Sequence, residues 1–259
     1  MLLSCDNNGK EARMHADGIE IDSIVKDTVV SLGNEVGAST CELSLNIKYL
    51  KGGKKAQEIN DTLIRNGLLT PDYLSLTDEK LSVKQAVDSF INRFLADYIN
   101  EYGKMYRKNK DHATSYNYKY QVKTSVESNR EHIITYIASI YIHGGGTHGI
   151  NQTIAMNFNT ESGKRQKITD IFVPGYDEKL KNAIIEQLCD DRNCNNIDDL
   201  RSMSIFSGID VYVPDNFIID KNNITFIYCE DEIAYHDMGE IRITIPLSDI
   251  KDIIKKEYD

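Results

Sequence analysis

Four side chains carry the residue types of acid–base or metal chemistry: His143, His148, His236 and Asp237. Histidine is the commonest metal ligand and titrates near neutrality. A metal centre needs further ligands at matched spacing, and His143 and His148 sit beside a run of glycines with no third ligand close by in sequence. The role expected for His148 is therefore to fix its own loop through hydrogen bonds to backbone groups. Glu232 is expected to pair or cap within the fold rather than to act as a base. No Gly-x-Ser-x-Gly elbow and no Ser/His/Asp or Cys/His arrangement stands out. No catalytic residue, no metal ligand and no cofactor is assigned, and the chain is not expected to be an enzyme.

The glycine run itself, Gly144-Gly145-Gly146-Thr147-His148-Gly149, lies between two strand-like segments. Glycine permits positive φ and close backbone approach, so a tight connection between strands is one reading. The other is an exposed concavity of backbone N–H groups able to hold an anion or a glycan oxygen. A phosphate-binding P-loop is excluded, because no Gly-Lys-Ser/Thr follows and the next element is a strand. Tyr116, Tyr118 and Tyr120 line one face of another strand, as core side chains or as an aromatic surface for glycans or proteins.

Thirty Lys and Arg against forty Asp and Glu give 30 − 40 = −10 over 259 residues. Generic nucleic-acid binding calls for a basic surface, so that class is excluded, whereas a basic protein partner would be attracted. No stretch reaches the roughly 20 apolar residues of a spanning helix.

The chain opens Met1-Leu2-Leu3-Ser4-Cys5 and continues with a polar run. Leu-Leu-Ser-Cys resembles the end of a bacterial lipoprotein signal, in which the cysteine is lipidated and anchors the protein to a membrane. Four further cysteines remain. Cys189 and Cys194 follow an apparent helix, where a short loop could close as a disulfide. Cys41 and Cys229 lie in apolar runs and read as core thiols.

Several elements must position these residues. Alternation predicts strands from Ser23 to Leu32 and from Thr40 to Leu50, where Cys41, Leu43, Leu45 and Ile47 share a face. A short helix is expected from Ala56 to Asn66, ended by Gly67. A longer one starts at Ser82, where Ser82 and Gln85 can form a capping box. Its apolar stripe is expected to run through Val83, Val87, Phe90, Phe94, Ile99 and Tyr102. Further strands are expected after Tyr116, from His132 to His143, from Gln152 to Asn159 and from Ile168 to Val173, with a turn at Ser128-Asn129-Arg130. The remainder reads as a helix from Asp177 to Leu188, strands at Phe217–Ile219, Ile224–Tyr228 and Ile241–Ile245, and a final helix from Ser248 to Lys256. This grammar is α+β, with largely antiparallel sheets flanked by a few helices in two packed subdomains. The expected division is a tether at 1–19, an α+β unit at 20–130 and a second at 131–259.

The second unit carries a family resemblance. Gly145-Gly146-Thr147-His148-Gly149 is followed by Ser162-Gly163-Lys164, Asp170-Ile171-Phe172, Glu232-Ile233-Ala234-Tyr235-His236-Asp237-Met238-Gly239 and Ile243-Thr244-Ile245-Pro246. In this order, over roughly residues 135–256, the chain resembles the extracytoplasmic domain family typified by the anti-sigma-V factor RsiV. That family also accompanies peptidoglycan deacetylases. Its usual pattern has Ala at the position of Thr147 and Pro-Tyr-Ala where this chain has Tyr235-His236-Asp237. The resemblance implies a cell-envelope lipoprotein, held to the membrane through Cys5 and facing the periplasm or the cell surface. It further implies a non-enzymatic binding or sensing module for a basic, lysozyme-like protein. The alternative is a glycan- or peptidoglycan-binding module, or an accessory to an envelope glycan hydrolase or deacetylase. Gly144–Gly149 with Glu232, Tyr235 and Gly239 form the expected recognition or bracing motif, with the two segments close together.

Overall fold

A computed structural model describes residues 18–73 and 81–258. Cys5 and most of the expected tether lie outside them, while Ile19 is already buried. Strands β1 (Ile21–Ser31) and β2 (Thr40–Leu50) pair antiparallel, and strict alternation along β2 buries Cys41, Leu43, Leu45 and Ile47. Helix α1 (Ala56–Leu63) ends earlier than expected. A wide turn over Ile64–Leu68 follows, with Gly67 at φ 84°.

Helix α2 (Val83–Lys108) begins at the Ser82–Gln85 capping box. Its buried stripe runs Val83, Val87, Phe90, Phe94, Tyr98 and Tyr106, while Ile99 is exposed. A 3.6-residue period carries the stripe to Tyr98, and one position further on Ile99 has rotated off it. Phe90 and Phe94 meet Tyr120 at 5.6 and 5.4 Å, and Phe94 meets Tyr118 edge-on. Tyr118 and Tyr120 thus belong to the core, with Tyr120 fully buried, whereas Tyr116 ends the turn before the next strand and packs on the Tyr102 ring. Each buried Phe contributes on the order of 2–3 kcal/mol of transfer free energy.

Strand β3 (Tyr118–Arg130) runs parallel to β2, and β4 (Ile133–Gly144), β5 (Ile150–Asn159) and β6 (Arg165–Gln166) continue antiparallel. The sheet order is β1-β2-β3-β4-β5-β6. The turn expected at Ser128-Asn129-Arg130 is instead a register shift inside β3. The chain reverses one step later, at Glu131-His132, where His132 has φ 56°. A boundary at 130/131 would fall between two paired strands of one sheet. The two hydrophobic cores divide elsewhere: one spans Ile19 to Phe158, the other Ile168 to Tyr258 together with Ile133.

The second core is built from α3 (Ile168–Ile171), α4 (Asp177–Arg192), α5 (Ile197–Ser202) and a sheet of β7 (Phe217–Ile219), β8 (Asn223–Tyr228) and β9 (Ile241–Pro246). Of Ile168 to Val173, expected as a strand, the first four residues form a single helical turn, because Asp215 and Asp170 accept the N–H groups of Ile168 and Lys167 that begin it, and only Phe172 makes a β-bridge, with Ile254. The final helix expected from Ser248 to Lys256 does not form. Val173 donates to the Ile253 carbonyl at 2.9 Å and Lys255 to the Ile171 carbonyl at 3.0 Å, so tertiary pairing takes the groups a helix would use. Short helix α5 had a signal in the sequence: Asn196 caps the N–H groups of Asp198 and Asp199.

All four described cysteines are free thiols. Burial pushes the Cys41 thiol up to about 12. Cys194 N–H donates to the Cys189 carbonyl at 2.9 Å, and burial plus a side-chain hydrogen bond with Cys194 push the Cys189 thiol up to about 11. The disulfide expected here is therefore open, with its two thiols facing each other across the end of α4. Oxidation with diamide should close it, read by mass spectrometry as loss of two hydrogens from a peptide containing both cysteines. So short a loop should add only about 2 kcal/mol of stability. Failure to oxidise in the folded protein would contradict this geometry.

Candidate functional site

The β4–β5 connection meets the Cys229–Gly239 segment beside one end of the large sheet. Within that connection the glycines have distinct reasons. Gly145 has φ 71°, and an added Cβ would lie 2.0 Å from the Ser115 carbonyl oxygen. Gly149 lies against the Tyr141 ring, 2.4 Å from where a Cβ would stand. Gly144 packs near Tyr118, whereas a Cβ at Gly146 would meet only the His148 carbonyl oxygen, at 3.9 Å. The loop is braced by His143, whose Nε2 lies 3.0 Å from the Gly146 carbonyl, rather than by His148 as expected. His148 and Thr147 are exposed, and the His148 ring instead rests against His236 at 5.4 Å.

The opposing segment is held from both sides. Glu230, its side chain only 9% exposed, accepts the Asn151 backbone N–H at 2.6 Å and the Asn151 side-chain amide at 3.3 Å. This tie joins the segment to the start of β5. Glu232 accepts the Cys229 N–H at 2.6 Å and the Tyr212 hydroxyl, and so caps the turn that begins the segment. Burial, and next the Glu232 carboxylate, push the Tyr212 hydroxyl well above its ordinary range. Tyr228 donates to the Tyr212 carbonyl at 2.5 Å. Asp231 and Gly239 both have φ 63°, which turns the chain twice and leaves Tyr235 71% exposed between them.

His236 Nδ1 lies 3.1 Å from Asp231 and 3.7 Å from Glu230. The hydrogen bond to Asp231 raises its pKa above the ordinary 6.5, with Glu230 and Asp237 adding to the effect. Below the segment an open groove of about 610 Å³ runs between β5 and the second core, lined by Gln152, Arg165, Asp215, Asn216 and Asp231 among others. Its floor is a seam that the sequence reading missed. The Asn216 side chain accepts the Ala155 N–H at 2.8 Å and donates to the Thr153 carbonyl at 2.8 Å and the Ile227 carbonyl at 3.2 Å. Cys229 Sγ also donates to the Thr153 carbonyl. Nothing local marks Asn216, since its partners on β5 lie 61 and 63 positions away.

Chemically the site offers hydrogen-bonding carboxylates, two imidazoles and an exposed aromatic ring. Among the described residues no group of three His, Cys, Asp or Glu side chains is arranged to hold a metal ion, and no helix is long and apolar enough to cross a membrane.

Comparison with known proteins finds likeness to domains of undefined role. Residues 169–248 match the family described as "Protein of unknown function (DUF3298)", a stretch that contains Glu232 to Gly239 but begins after the glycine loop. Two solved structures extend the likeness to the whole fold. A member of the DUF3298 family from Bacteroides fragilis NCTC 9343 superposes with a TM-score of 0.83 at 23% identity, covering 93% of this chain and 96% of its own. A DUF3298 family protein from Pseudomonas aeruginosa PAO1 gives 0.62 at 13% identity, covering 93% and 97%. No curated protein matches.

The Asp231–His236 pair has a defined pH dependence. Because the folded pKa of His236 is raised, its contribution to stability is complete below about 6.5 and is lost as pH rises through the folded value. An NMR titration should place the His236 midpoint above 6.5, and Asp231→Asn should lower it. A midpoint unmoved by Asp231→Asn would contradict the pairing.

Proposed function

We propose that this protein is a bacterial cell-envelope lipoprotein, anchored through Cys5, whose folded part is a binding or sensing module for a basic, lysozyme-like protein. The observation that carries this reading is the exposed Tyr235 ring, 71% accessible, beside the His148–His236 pair and the Asp231 and Asp237 carboxylates. An accessible aromatic side chain amid negative charge is the composition of an interface anchor for a cationic partner. A net charge of −10 adds long-range attraction. The resemblance to the RsiV-type domain points the same way. Glycine and polar ties fix the backbone on both sides of the patch, so little ordering cost falls on binding.

A second reading, glycan binding, has its own observation. The outer face of the large sheet forms a trough of about 630 Å³ lined by Asn46, Gln121, Ser139, Tyr141 and Asn151. Amides and a tyrosine on a rigid sheet suit hydroxyl-rich ligands.

Hen egg-white lysozyme passed over immobilised protein separates the two. Binding should weaken at least about tenfold between roughly 0.05 and 0.3 M salt, and Tyr235→Ala should weaken it by about as much. Lysozyme binding that ignores both salt and Tyr235 would contradict the first reading. Binding of a chitooligosaccharide, lost in Tyr141→Ala and kept in Tyr235→Ala, would establish the second instead.

A further inference from the structure

The outermost strand of the large sheet, β1, is 11 residues long and pairs with β2 without a register shift. Among the described residues, no strand pairs with its other edge. The direction of its backbone groups follows from β2. Thr40 N–H donates to Asn117, Lys48 N–H to Thr124, and Leu50 N–H to Asn60, while the Asn46 carbonyl accepts from Thr124. Those β2 residues direct backbone groups away from β1. Their partners Ser31, Ser23, Ile21 and Val25 occupy the non-hydrogen-bonded positions of the antiparallel pair. By the same alternation Asp27 and Val29 do too. The N–H and C=O groups of Ser23, Val25, Asp27 and Val29 therefore point outward from the sheet. Ser23 N–H turns back onto Asp22 at 2.8 Å, which leaves Val25, Asp27 and Val29 as the available stretch.

Native sheets blunt such edges with prolines, bulges, short strands or several charges. β1 has no proline, and its one lysine, Lys26, lies on the opposite face, paired with Asp88 at 2.9 Å. Side chains at the outward positions stand on the solvent side of the sheet, with Val25 59% and Val29 64% exposed. Between them Asp27 is held upright by the Ser44 hydroxyl at 2.6 Å. The edge thus presents apolar, acidic and apolar side chains in register, with backbone groups at the same three residues that take no partner among the described residues.

We infer that this edge receives an extended, basic polypeptide segment as an added antiparallel strand, with a Lys or Arg opposite Asp27 and apolar residues opposite Val25 and Val29. Strand addition draws affinity from main-chain hydrogen bonds and specificity from alternate side chains. A second copy of this chain is disfavoured as the occupant. The antiparallel register that matches Val25 with Val29 sets Asp27 directly against Asp27, and like charges directly opposite are destabilising. The net charge of −10 on each copy opposes the same pairing. This surface is separate from the Tyr235 patch and does not depend on the function proposed for it.

The probe is the blocked nonapeptide Ser-Thr-Val-Thr-Lys-Thr-Val-Thr-Ser, with a control carrying Glu in place of Lys. Fluorescence anisotropy should give the lysine peptide a Kd below about 1 mM, and amide exchange at Val25, Asp27 and Val29 should slow on binding. Asp27→Lys should weaken the lysine peptide at least about tenfold and gain the glutamate peptide. Val25→Pro removes an outward N–H that β2 does not use. It should abolish binding while circular dichroism and Tm stay as in the parent. No binding of the lysine peptide at about 1 mM, or equal binding of both peptides, would overturn the inference. So would a sedimentation-detected dimer that Val25→Pro dissolves, since the edge would then belong to a second copy.

Discussion

The architecture depends on one side-chain amide. Beyond the two residues of β6, strand β5 would leave backbone groups facing the second core, and buried backbone groups without partners cost about 1–3 kcal/mol each. Asn216 closes that edge as a strand residue would, accepting from Ala155 and donating to Thr153, and it reaches Ile227 on β8 with the same side chain. Asn157 repeats the device one step along, donating to the Phe217 carbonyl at 2.8 Å while accepting from Thr135. The two cores are thereby fixed to a common strand.

That seam explains the rest of the site. Once β8 is held against β5, the turn after β8 lies beside the start of β5, where Glu230 takes the Asn151 amide. Only then do His148 and His236 meet, although one lies in the β4–β5 connection of the large sheet and the other in the segment after β8. The same seam explains why β4 is apolar on both faces. Tyr136, Ala138 and Ile140 face α2, whereas Ile133 joins the second core. The strip nearer β1 is left uncovered and is polar, apart from the two valines at its edge.

Much of this was legible in the sequence where the signal is local. Period-two alternation located β2 and β9, the Ser82–Gln85 box located the start of α2, and the glycine run located a connection between strands. The α+β class follows from that order of elements. Signals failed where a distant partner decides. Ile168 to Val173 reads as a strand until Asp215 captures its first N–H, and Ser248 to Lys256 reads as a helix until Ile171 and Val173 take its backbone groups. His148 looked like the brace of its loop because it lies within the glycine motif, yet His143, at the end of β4, is within reach of the Gly146 carbonyl. Gly149 could be identified as glycine but its reason, the Tyr141 ring, is set by the hairpin register.

The central claim is that Asn216 docks the second core and so assembles the site. Amide hydrogen exchange on Asn216→Ala, combined with ring–ring NOEs between His148 and His236, tests it most directly. The account expects Ala155 and Asn151 to lose at least about tenfold protection, equivalent to roughly 1.4 kcal/mol, and the ring contact to disappear, while the β1–β2 amides stay protected. Unchanged protection at Ala155 with the His148–His236 contact intact would contradict it.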